Sequence, residues 1–260
     1  MPRISIITIC FNNKEELIKS MQSVNIQQQP PYEHFIIDGS TNSEIRDYLE
    51  NTPQPTWRKW LCERDNGISD AFNKGIKLST GEVVHLLNSG DIYYDDLVLL
   101  QVSTSLISAG NITWCHGQLH MKRGGEWVII GKPFDKNKVY RGMRGTLHPS
   151  MFVYKELYNR YGLYNTSLKI AMDYDFLLRI AEEPFLYLNF PIVTFDPDGV
   201  SNTTYLVSLK ENKICYEKYY GKTFKLYFWQ LRLKVLHHLL QSTIGKFLYR
   251  IKKGLKLENV

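Results

Sequence analysis

Polar side chains at the ends of apolar runs are the first candidates for chemistry in this sequence. Asn12, Asp38 and Asp91 each come at or shortly after the end of such a run, and these runs predict buried strands. In open α/β sheets, ligands bind at the carboxyl ends of the strands. Several acids at one such edge could therefore hold a nucleotide together with a divalent ion. Neither a GxGxxG fingerprint nor a Walker phosphate loop is present, so dinucleotide and P-loop proteins lose their main support.

The elements that must position these side chains alternate along the first part of the chain. Ile4 to Cys10 is a mostly β-branched run, which is typical of a strand buried in a parallel sheet. A helix is predicted to follow, capped by Asn13 in a box with Glu16. Further strands are expected at His34 to Ile37, Trp57 to Cys62 and Val83 to Leu87. The alternation predicts an α/β fold with a mixed, mostly parallel central sheet and covering helices.

The order weakens in the second half of the sequence. Thr113 to His120 and Glu126 to Gly131 are predicted to be two strands around a glycine turn. Asp173 is predicted to cap a helix that runs to Glu183 and stops at Pro184. These segments are expected to add strands that make the sheet mixed.

Five segments occur in an order that is found in a known enzyme family. They are Ile4 to Asn12, Ile37 to Thr41, Asp65 to Gly75, Leu87 to Asp91 and Met172 to Asp175. In this order they resemble family 2 glycosyltransferases of the GT-A fold, a nucleotide-binding fold, over roughly residues 1–202. The segment from Asp65 to Gly75 is most similar to bacterial enzymes that assemble polysaccharide repeat units.

The resemblance implies an activity. It implies a hexosyltransferase that moves a sugar from a nucleotide diphosphate sugar to an acceptor hydroxyl, with inversion at the anomeric carbon. The expected acceptor is a lipid-linked glycan in polysaccharide biosynthesis. Two alternatives stay open: a catalytically silent nucleotide-sugar binding or scaffold protein, and nucleotidyl transfer. The second lacks the Gly- and Arg-rich phosphate loop expected near the first strand.

The resemblance also implies which residues bind the donor. Asp38 matches the family carboxylate that meets the nucleoside, although beside Gly39 it could instead only shape a turn. The residues expected to bind the nucleotide sugar are Asn12, Asp38, Arg64, Asp65, Asn73, Lys74 and Asp91.

A divalent ion, Mg²⁺ or Mn²⁺, is implied in the same way. Asp91 occupies the last acidic position of the family metal motif, but Asn88 and Gly90 replace the other expected acids. Hard ions of this kind prefer oxygen ligands and bridge a carboxylate and phosphates. His148 is a second candidate ligand, and a structural role is the alternative for both residues. We therefore expect a metal site that is poorer in carboxylates than the family norm.

Asp173 matches the carboxylate that family members use as the general base. An Asp in front of an apolar helix is also what a helix N-cap looks like, so the two roles compete at this position. Asp175 is the second candidate for the base. Asp173 is the catalytic residue that the sequence favours.

Charge divides the chain into two parts. The whole protein carries a net charge of +6, whereas residues 205–260 contain twelve Lys or Arg against three Glu. We expect a glycosyltransferase domain over residues 1–204 and a basic amphipathic helical tail over 205–260. The tail could lie on an anionic membrane surface, or it could be a helix packed on the body. No nucleic-acid recognition motif accompanies the charge, so no nucleic-acid partner is predicted.

The cellular compartment follows from the cysteines and the first residues. Cys10, Cys62, Cys115 and Cys215 lack metal-ligand or tight disulfide spacing, and they are interpreted as free thiols in a reducing compartment. The apolar run after Met1 is too short for a membrane span and lacks a cleavage pattern. We expect a cytoplasmic protein that is peripheral on the inner face of the cell membrane.

Overall fold

The computed structural model describes residues 1–123, 125–195, 205–242 and 245. These residues form a sheet of nine strands covered by helices. The strands are β1 Ile4–Cys10, β2 Glu33–Asp38, β3 Arg58–Cys62, β4 Val83–Leu86, β5 Ile92–Tyr93, β6 Trp114–Arg123, β7 Glu126–Ile130, β8 Met151–Tyr154 and β9 Phe185–Phe195. The α-helices are α1 Lys14–Asn25, α2 Glu44–Asn51, α3 Ile68–Leu78, α4 Val98–Ala109, α5 Lys155–Tyr161, α6 Met172–Arg179, α7 Tyr205–Tyr220 and α8 Phe224–Gln241. Short 3₁₀ helices span Lys136–Arg141 and His148–Ser150.

The sheet has a parallel half and a mixed half. Its strand order is β3-β2-β1-β4-β8-β6-β9-β5, and β7 pairs with residues 119–123 of β6. Strands β1 to β4 run parallel, with Cys10 opposite Asp38 and Ile7 opposite Leu86. Strand β8 is antiparallel to both of its neighbours, β4 and β6. The predicted mixed α/β sheet is therefore confirmed, and the carboxyl ends of β1 to β4 lie at one edge.

The β-branched side chains of β1 are buried on both faces of the sheet. Ile6 and Ile7 have no exposed surface. Ile7 packs in a cluster with residues of α3, α5 and α6, whereas Ile6 packs in another cluster with residues of α4. Burial of one such side chain contributes roughly 1.5–3 kcal/mol. The apolar run of β1 thus holds the two helical layers together.

Two predicted helix caps are wrong. Asn13 precedes α1 but makes no capping bond to it, because its Oδ1 accepts the N–H of Phe11 at 2.9 Å. Asp173 does not cap a helix to Glu183, because α6 begins at Met172 and places Asp173 inside its first turn. Asp173 is therefore not the N-cap of α6, and that role does not compete with the predicted role of a general base.

Helices α7 and α8 pack on the rest of the described chain. Leu209, Cys215 and Leu226 are buried, and the last two join a cluster with Val139 and Tyr174. These contacts agree with the alternative in which the tail packs on the body, for helices α7 and α8. The tail residues from 246 onward, including the predicted apolar positions there, lie outside the described residues, and the boundary at 204 stays a prediction.

Residues of the described chain form no helix that is both long enough and apolar enough to cross a bilayer.

Candidate active site

The loops after the parallel strands meet at one edge of the sheet. The N–H of Gly39 donates to the carbonyl oxygen of Cys10 at 3.1 Å, and that of Ser89 donates to Ile9 at 3.2 Å. The N–H of Glu63 donates to the backbone carbonyl oxygen of Asp38 at 3.0 Å. These bonds join the ends of β1, β2, β3 and β4. The structure therefore brings together the segments that carry Asn12, Asp38, Asp65 and Asp91.

Asn12 joins the first two of these loops. Its backbone has a φ of +52°, which places it in the left-handed region where Asn is tolerated. Its N–H donates to the hydroxyl of Ser40 at 2.8 Å, and its Oδ1 accepts the N–H of Thr41 at 3.1 Å. The side chain is exposed at the edge of the sheet, where a nucleoside could reach it.

Asp38 ends β2 and is buried. Its Oδ1 accepts the N–H of Ser40 at 2.9 Å, which is an Asx turn of the kind that the turn alternative predicts. The thiol of Cys10 lies 3.8 Å from the same oxygen, and burial together with this carboxylate raises the pKa of the thiol. Asp38 therefore shapes the loop.

Asp65 lies against Gly39 at the end of the neighbouring strand. A β-carbon on Gly39 would come within 1.9 Å of its Oδ2. Its Oδ1 accepts the N–H of Gly67 at 2.8 Å, and Gly67 is the residue before α3. Arg64 is exposed, and its carbonyl oxygen accepts the ammonium of Lys74 at 2.5 Å.

Asn73 and Lys74 are engaged with the protein itself. The side-chain amide of Asn73 donates to the carbonyl oxygen of Tyr164 and accepts its N–H, both at 2.9 Å. Lys74 pairs with Glu63 at 2.8 Å. In this structure Asn73 fixes the loop before α6, and Lys74 fixes the loop after β3.

Asp91 is buried at the end of the β4 loop. Its Oδ2 accepts the side-chain amide of Asn88 at 3.0 Å, and burial raises its pKa to about 6. A cation close by would lower that pKa, and no Lys or Arg pairs with Asp91 in the described ranges. With a pKa of about 6 the carboxyl group is mostly ionised at neutral pH, so it can bind a divalent ion there.

His148 is not shown beside Asp91. Its ring packs on Phe72 at 5.5 Å and on Tyr164 at 6.2 Å between ring centroids. Its buried Nε2 has no hydrogen-bond partner among the described residues, and burial lowers its pKa to about 4, so the ring is neutral at pH 7. Residues 1–123, 125–195, 205–242 and 245 hold no group of three His, Cys, Asp or Glu that could bind a metal.

Asp173 lines a cavity of about 260 Å³ between the start of α6, the 141–144 loop and helix α7. Its Oδ1 accepts the N–H of Tyr174 at 2.7 Å, and its Oδ2 accepts no hydrogen bond from the described residues. Burial raises its pKa to about 6. A carboxylate with one free oxygen and such a pKa can accept a proton near neutral pH.

Helix α6 is tied to the start of α3. The hydroxyl of Ser69, in the first turn of α3, donates to the sulfur of Met172 at 2.6 Å. Met172 directly precedes Asp173 in the chain. The segment that begins at Asp65 and the predicted base thus meet where α3 and α6 begin.

Sequence reasoning missed a residue that fixes the start of α6. The carboxylate of Glu211, on α7, accepts the N–H groups of Ile170 and Ala171, both at 2.9 Å. Such bonds satisfy donors that a helix start leaves free. The cavity wall that α7 forms does have a signal in the sequence. The α7 residues that line the cavity recur at helical spacing, and they are Tyr205, Ser208, Leu209 and Asn212.

Asp175 is engaged elsewhere. It is 2% exposed, and its Oδ2 lies 3.1 Å from the guanidinium of Arg179. Its Oδ1 accepts the hydroxyl of Tyr219 on α7 at 3.0 Å. These partners make Asp175 a link between α6 and α7, and it does not line the cavity that Asp173 lines.

Solved structures share this fold. Residues 1–349 of TarS from S. aureus, in complex with UDP-GlcNAc, match with a TM-score of 0.60 and 16% identity, over 94% of this chain and 75% of that chain. The mannosyltransferase PcManGT from Pyrobaculum calidifontis, in complex with GDP-Man and Mn²⁺, matches with a TM-score of 0.59 and 13% identity, over 99% of this chain and 81% of that one. This chain spans 45% of the longer TarS chain. At these identities the likeness shows the fold, which is that of the GT-A glycosyltransferases.

Sequence comparisons identify the family. The model of the family described as "Glycosyl transferase family 2" matches residues 5–162, and the chain belongs to that family. An uncharacterized glycosyltransferase of Mycobacterium tuberculosis, Rv1514c, is 30% identical over 206 residues, which are 77% of this chain and 78% of that protein. A PGL/p-HBAD biosynthesis glycosyltransferase of Mycobacterium bovis is 26% identical over 210 residues, which are 78% of this chain and 80% of that protein. The family match ends before Asp173, so the role of that residue depends on the cavity.

Proposed function

We propose that this chain is an inverting hexosyltransferase that moves a sugar from a nucleotide diphosphate sugar to an acceptor hydroxyl. The observation that carries the proposal is the position of Asp173. It lines the cavity and directly follows Met172, which Ser69 of α3 contacts. The donor is expected at the strand edge, in contact with Asn12, Asp38 and Asp65. UDP-GlcNAc and GDP-Man in the complexes of TarS and PcManGT support a donor of this class.

The reaction needs one proton acceptor. Asp173 takes the proton of the acceptor hydroxyl while the hydroxyl oxygen forms a bond to the anomeric carbon. The bond from that carbon to the diphosphate breaks, and the diphosphate leaves with the electron pair. Attack from the face opposite the leaving group inverts the anomeric carbon. A pKa of about 6 keeps most of the Asp173 carboxyl ionised at neutral pH.

The residues present fit a divalent ion that takes few ligands from the protein. Asp91 is a buried carboxylate with a raised pKa and without a cation partner in the described ranges. Mg²⁺ and Mn²⁺ sites of this kind use one or two carboxylates and complete their shells with phosphates and water. Asp91 would hold the ion, and His148 stays a weaker candidate. The ion would neutralise charge on the departing diphosphate.

The acceptor is proposed to be a lipid-linked glycan, and the protein is proposed to work at the cytoplasmic face of the membrane. The support is the outer face of α8, where Phe224, Phe228, Leu231, Val235 and Leu239 are each at least 43% exposed. Lys225, Arg232 and Lys234 lie on the same helix, which has no acidic residue. A helix with apolar and basic exposed side chains binds anionic lipid surfaces.

Calorimetry and a product assay test the proposal together. The protein is titrated with UDP and GDP, with and without Mn²⁺, and is then incubated with a panel of nucleotide sugars. We expect one nucleotide to bind more tightly with Mn²⁺ and its sugar to be transferred or slowly hydrolysed. Binding without turnover of any donor or acceptor would favour the silent binding protein, for which Asn88 and Gly90 in the metal motif are the support.

A further inference from the structure

Three arginine side chains surround one indole ring beside the cavity that Asp173 lines. The guanidinium carbons of Arg141, Arg144 and Arg232 lie 5.1, 5.2 and 5.0 Å from the centre of the Trp229 ring. Arg141 and Arg144 also line the cavity itself. The arginines come from two separate elements, the 141–144 loop and α8, so the fold assembles the cluster.

The cluster lacks a negative charge of its own. None of the three guanidinium groups forms an ion pair in the part of the chain that the structure describes. Like charges held around one ring repel each other unless an anion joins them. The indole Nε1 of Trp229 is buried and has no hydrogen-bond partner either. Guanidinium groups bind phosphate through paired N–H donors, so the cluster is suited to a phosphate group.

Its position assigns the phosphate to the acceptor. The strand-edge residues Asn12, Asp38 and Asp65, where the donor is expected, do not line this cavity, whereas Asp173 does. Trp229 belongs to α8, whose outer face exposes Phe228 and Leu231. A phosphate held by the arginines would therefore lie between the predicted base and an apolar surface.

We propose that the cavity is an acceptor subsite, in which Arg141, Arg144 and Arg232 bind the phosphate or diphosphate that joins the acceptor sugar to a lipid. The inference rests on the proposed function, because it uses Asp173 as the base. The lipid chain leaves the cavity along the outer face of α8. The acceptor sugar then extends from the phosphate towards Asp173.

A binding measurement that needs no turnover tests this site. Farnesyl diphosphate, inorganic pyrophosphate and farnesol are titrated into the whole chain at about 150 mM salt, which is near physiological ionic strength. Binding is followed by calorimetry and by the intrinsic tryptophan fluorescence, to which Trp229 contributes. We expect farnesyl diphosphate to bind at least tenfold more tightly than either of the other two. Arg144→Gln and Arg141→Gln should each weaken its binding about tenfold, because each removes one charge-assisted pair.

Matched controls separate the site from a general effect of charge. Lys234→Gln removes one exposed charge from α8 outside the cluster, and its affinity for farnesyl diphosphate should stay within about twofold of the wild type. Nucleotide diphosphate affinity should be unchanged in all three variants. A loss of nucleotide binding in Arg144→Gln, or competition between UDP and farnesyl diphosphate, would assign the arginines to the donor and overturn the proposal. Pyrophosphate that binds as tightly as farnesyl diphosphate would overturn the lipid part.

The test also stands apart from the catalytic assignment. Asp173→Asn should bind farnesyl diphosphate at least as tightly as the wild type does, because the substitution removes none of the three cations and takes away one negative charge. If the wild type proves inactive with every donor, the proposed function fails while the subsite can still be measured. If the wild type is active but indifferent to a phosphate on the acceptor, the subsite fails alone.

Discussion

Gly39 and Asp65 lie so close that a side chain on the first would displace the carboxylate of the second. A β-carbon on Gly39 would be 1.9 Å from Oδ2 of Asp65 and 2.7 Å from its Cγ. Real β-carbons do not approach other atoms to such distances. The missing side chain therefore lets the Asp65 carboxylate lie at the end of β2, beside Asp38.

Gly39→Ala should displace Asp65 and weaken nucleotide binding. We expect UDP or GDP affinity to fall at least tenfold, since the carboxylate can no longer occupy its place at the strand edge. Calorimetry measures the change, and Asp65→Ala is the matched variant. In the double variant the two effects should not add, because both act on one carboxylate. Additive losses would show that Asp65 plays no part in the effect of Gly39→Ala.

Asp175→Asn should destabilise the protein without removing the chemistry. Its carboxylate pairs with Arg179 at 3.1 Å, and both side chains are largely buried. Breaking one partner of such a pair costs about 3 kcal/mol or more, because the other charge stays buried. Urea unfolding measures the loss, and the turnover of the folded fraction should remain within about threefold of the wild type. Full stability with no turnover would instead assign the base to Asp175.

Replacement of Phe228 and Leu231 on the outer face of α8 by Glu should release the protein from anionic membranes. Phe228 and Leu231 are each 61% exposed, so their replacement by Glu leaves the packed side of the helix intact. Each side chain contributes roughly 1–2 kcal/mol when it enters a membrane surface, so the double variant should bind at least tenfold more weakly. Co-sedimentation with phosphatidylglycerol vesicles measures the binding. Ile107→Glu, on α4 and 58% exposed, is the control that should bind as the wild type does.

The rate of transfer should fall in acid as Asp173 takes up a proton. Burial raises its pKa from 3.8 to about 6, and only the ionised carboxyl can act as the base. The maximal rate should therefore be level above pH 7 and drop about tenfold for each pH unit below about 6. Saturating donor and Mn²⁺ keep Asp91 ionised, so that its own raised pKa does not contribute. A rate that is level down to pH 5 would contradict the assignment.

The parallel half of the fold was predictable because its strands are apolar on both faces. The run from Ile4 to Cys10 predicted β1 residue for residue, and the loops that end such strands do meet at one edge, where the donor is proposed to bind. Strand β8 was not predicted, because four residues between a 3₁₀ helix and α5 carry too little pattern to be read from sequence. Strand β9 was missed because Pro191 and the polar Asn189 interrupt its apolar run.

The acceptor side was the part that sequence could not supply. Asp173 was identified from a short motif, but its cavity also needs the 141–144 loop and α7, which meet only in the folded chain. Glu211 fixes the start of α6 from about forty residues away in sequence, a contact that no local pattern reports. Charge and apolar residues at helical spacing suggested a membrane tail, whereas in the structure α7 lines the cavity that Asp173 lines.

The most direct test of the account is the transfer rate of Asp173→Asn. The substitution keeps the shape of the side chain and its hydrogen bond from the N–H of Tyr174, but it removes the base. We expect the maximal rate to fall at least hundredfold, with nucleotide affinity and the melting temperature of the donor complex unchanged. The residual rate should also lose its dependence on pH near 6. Transfer at more than a tenth of the wild-type rate, with the pH profile intact, would contradict the central claim that Asp173 accepts the proton.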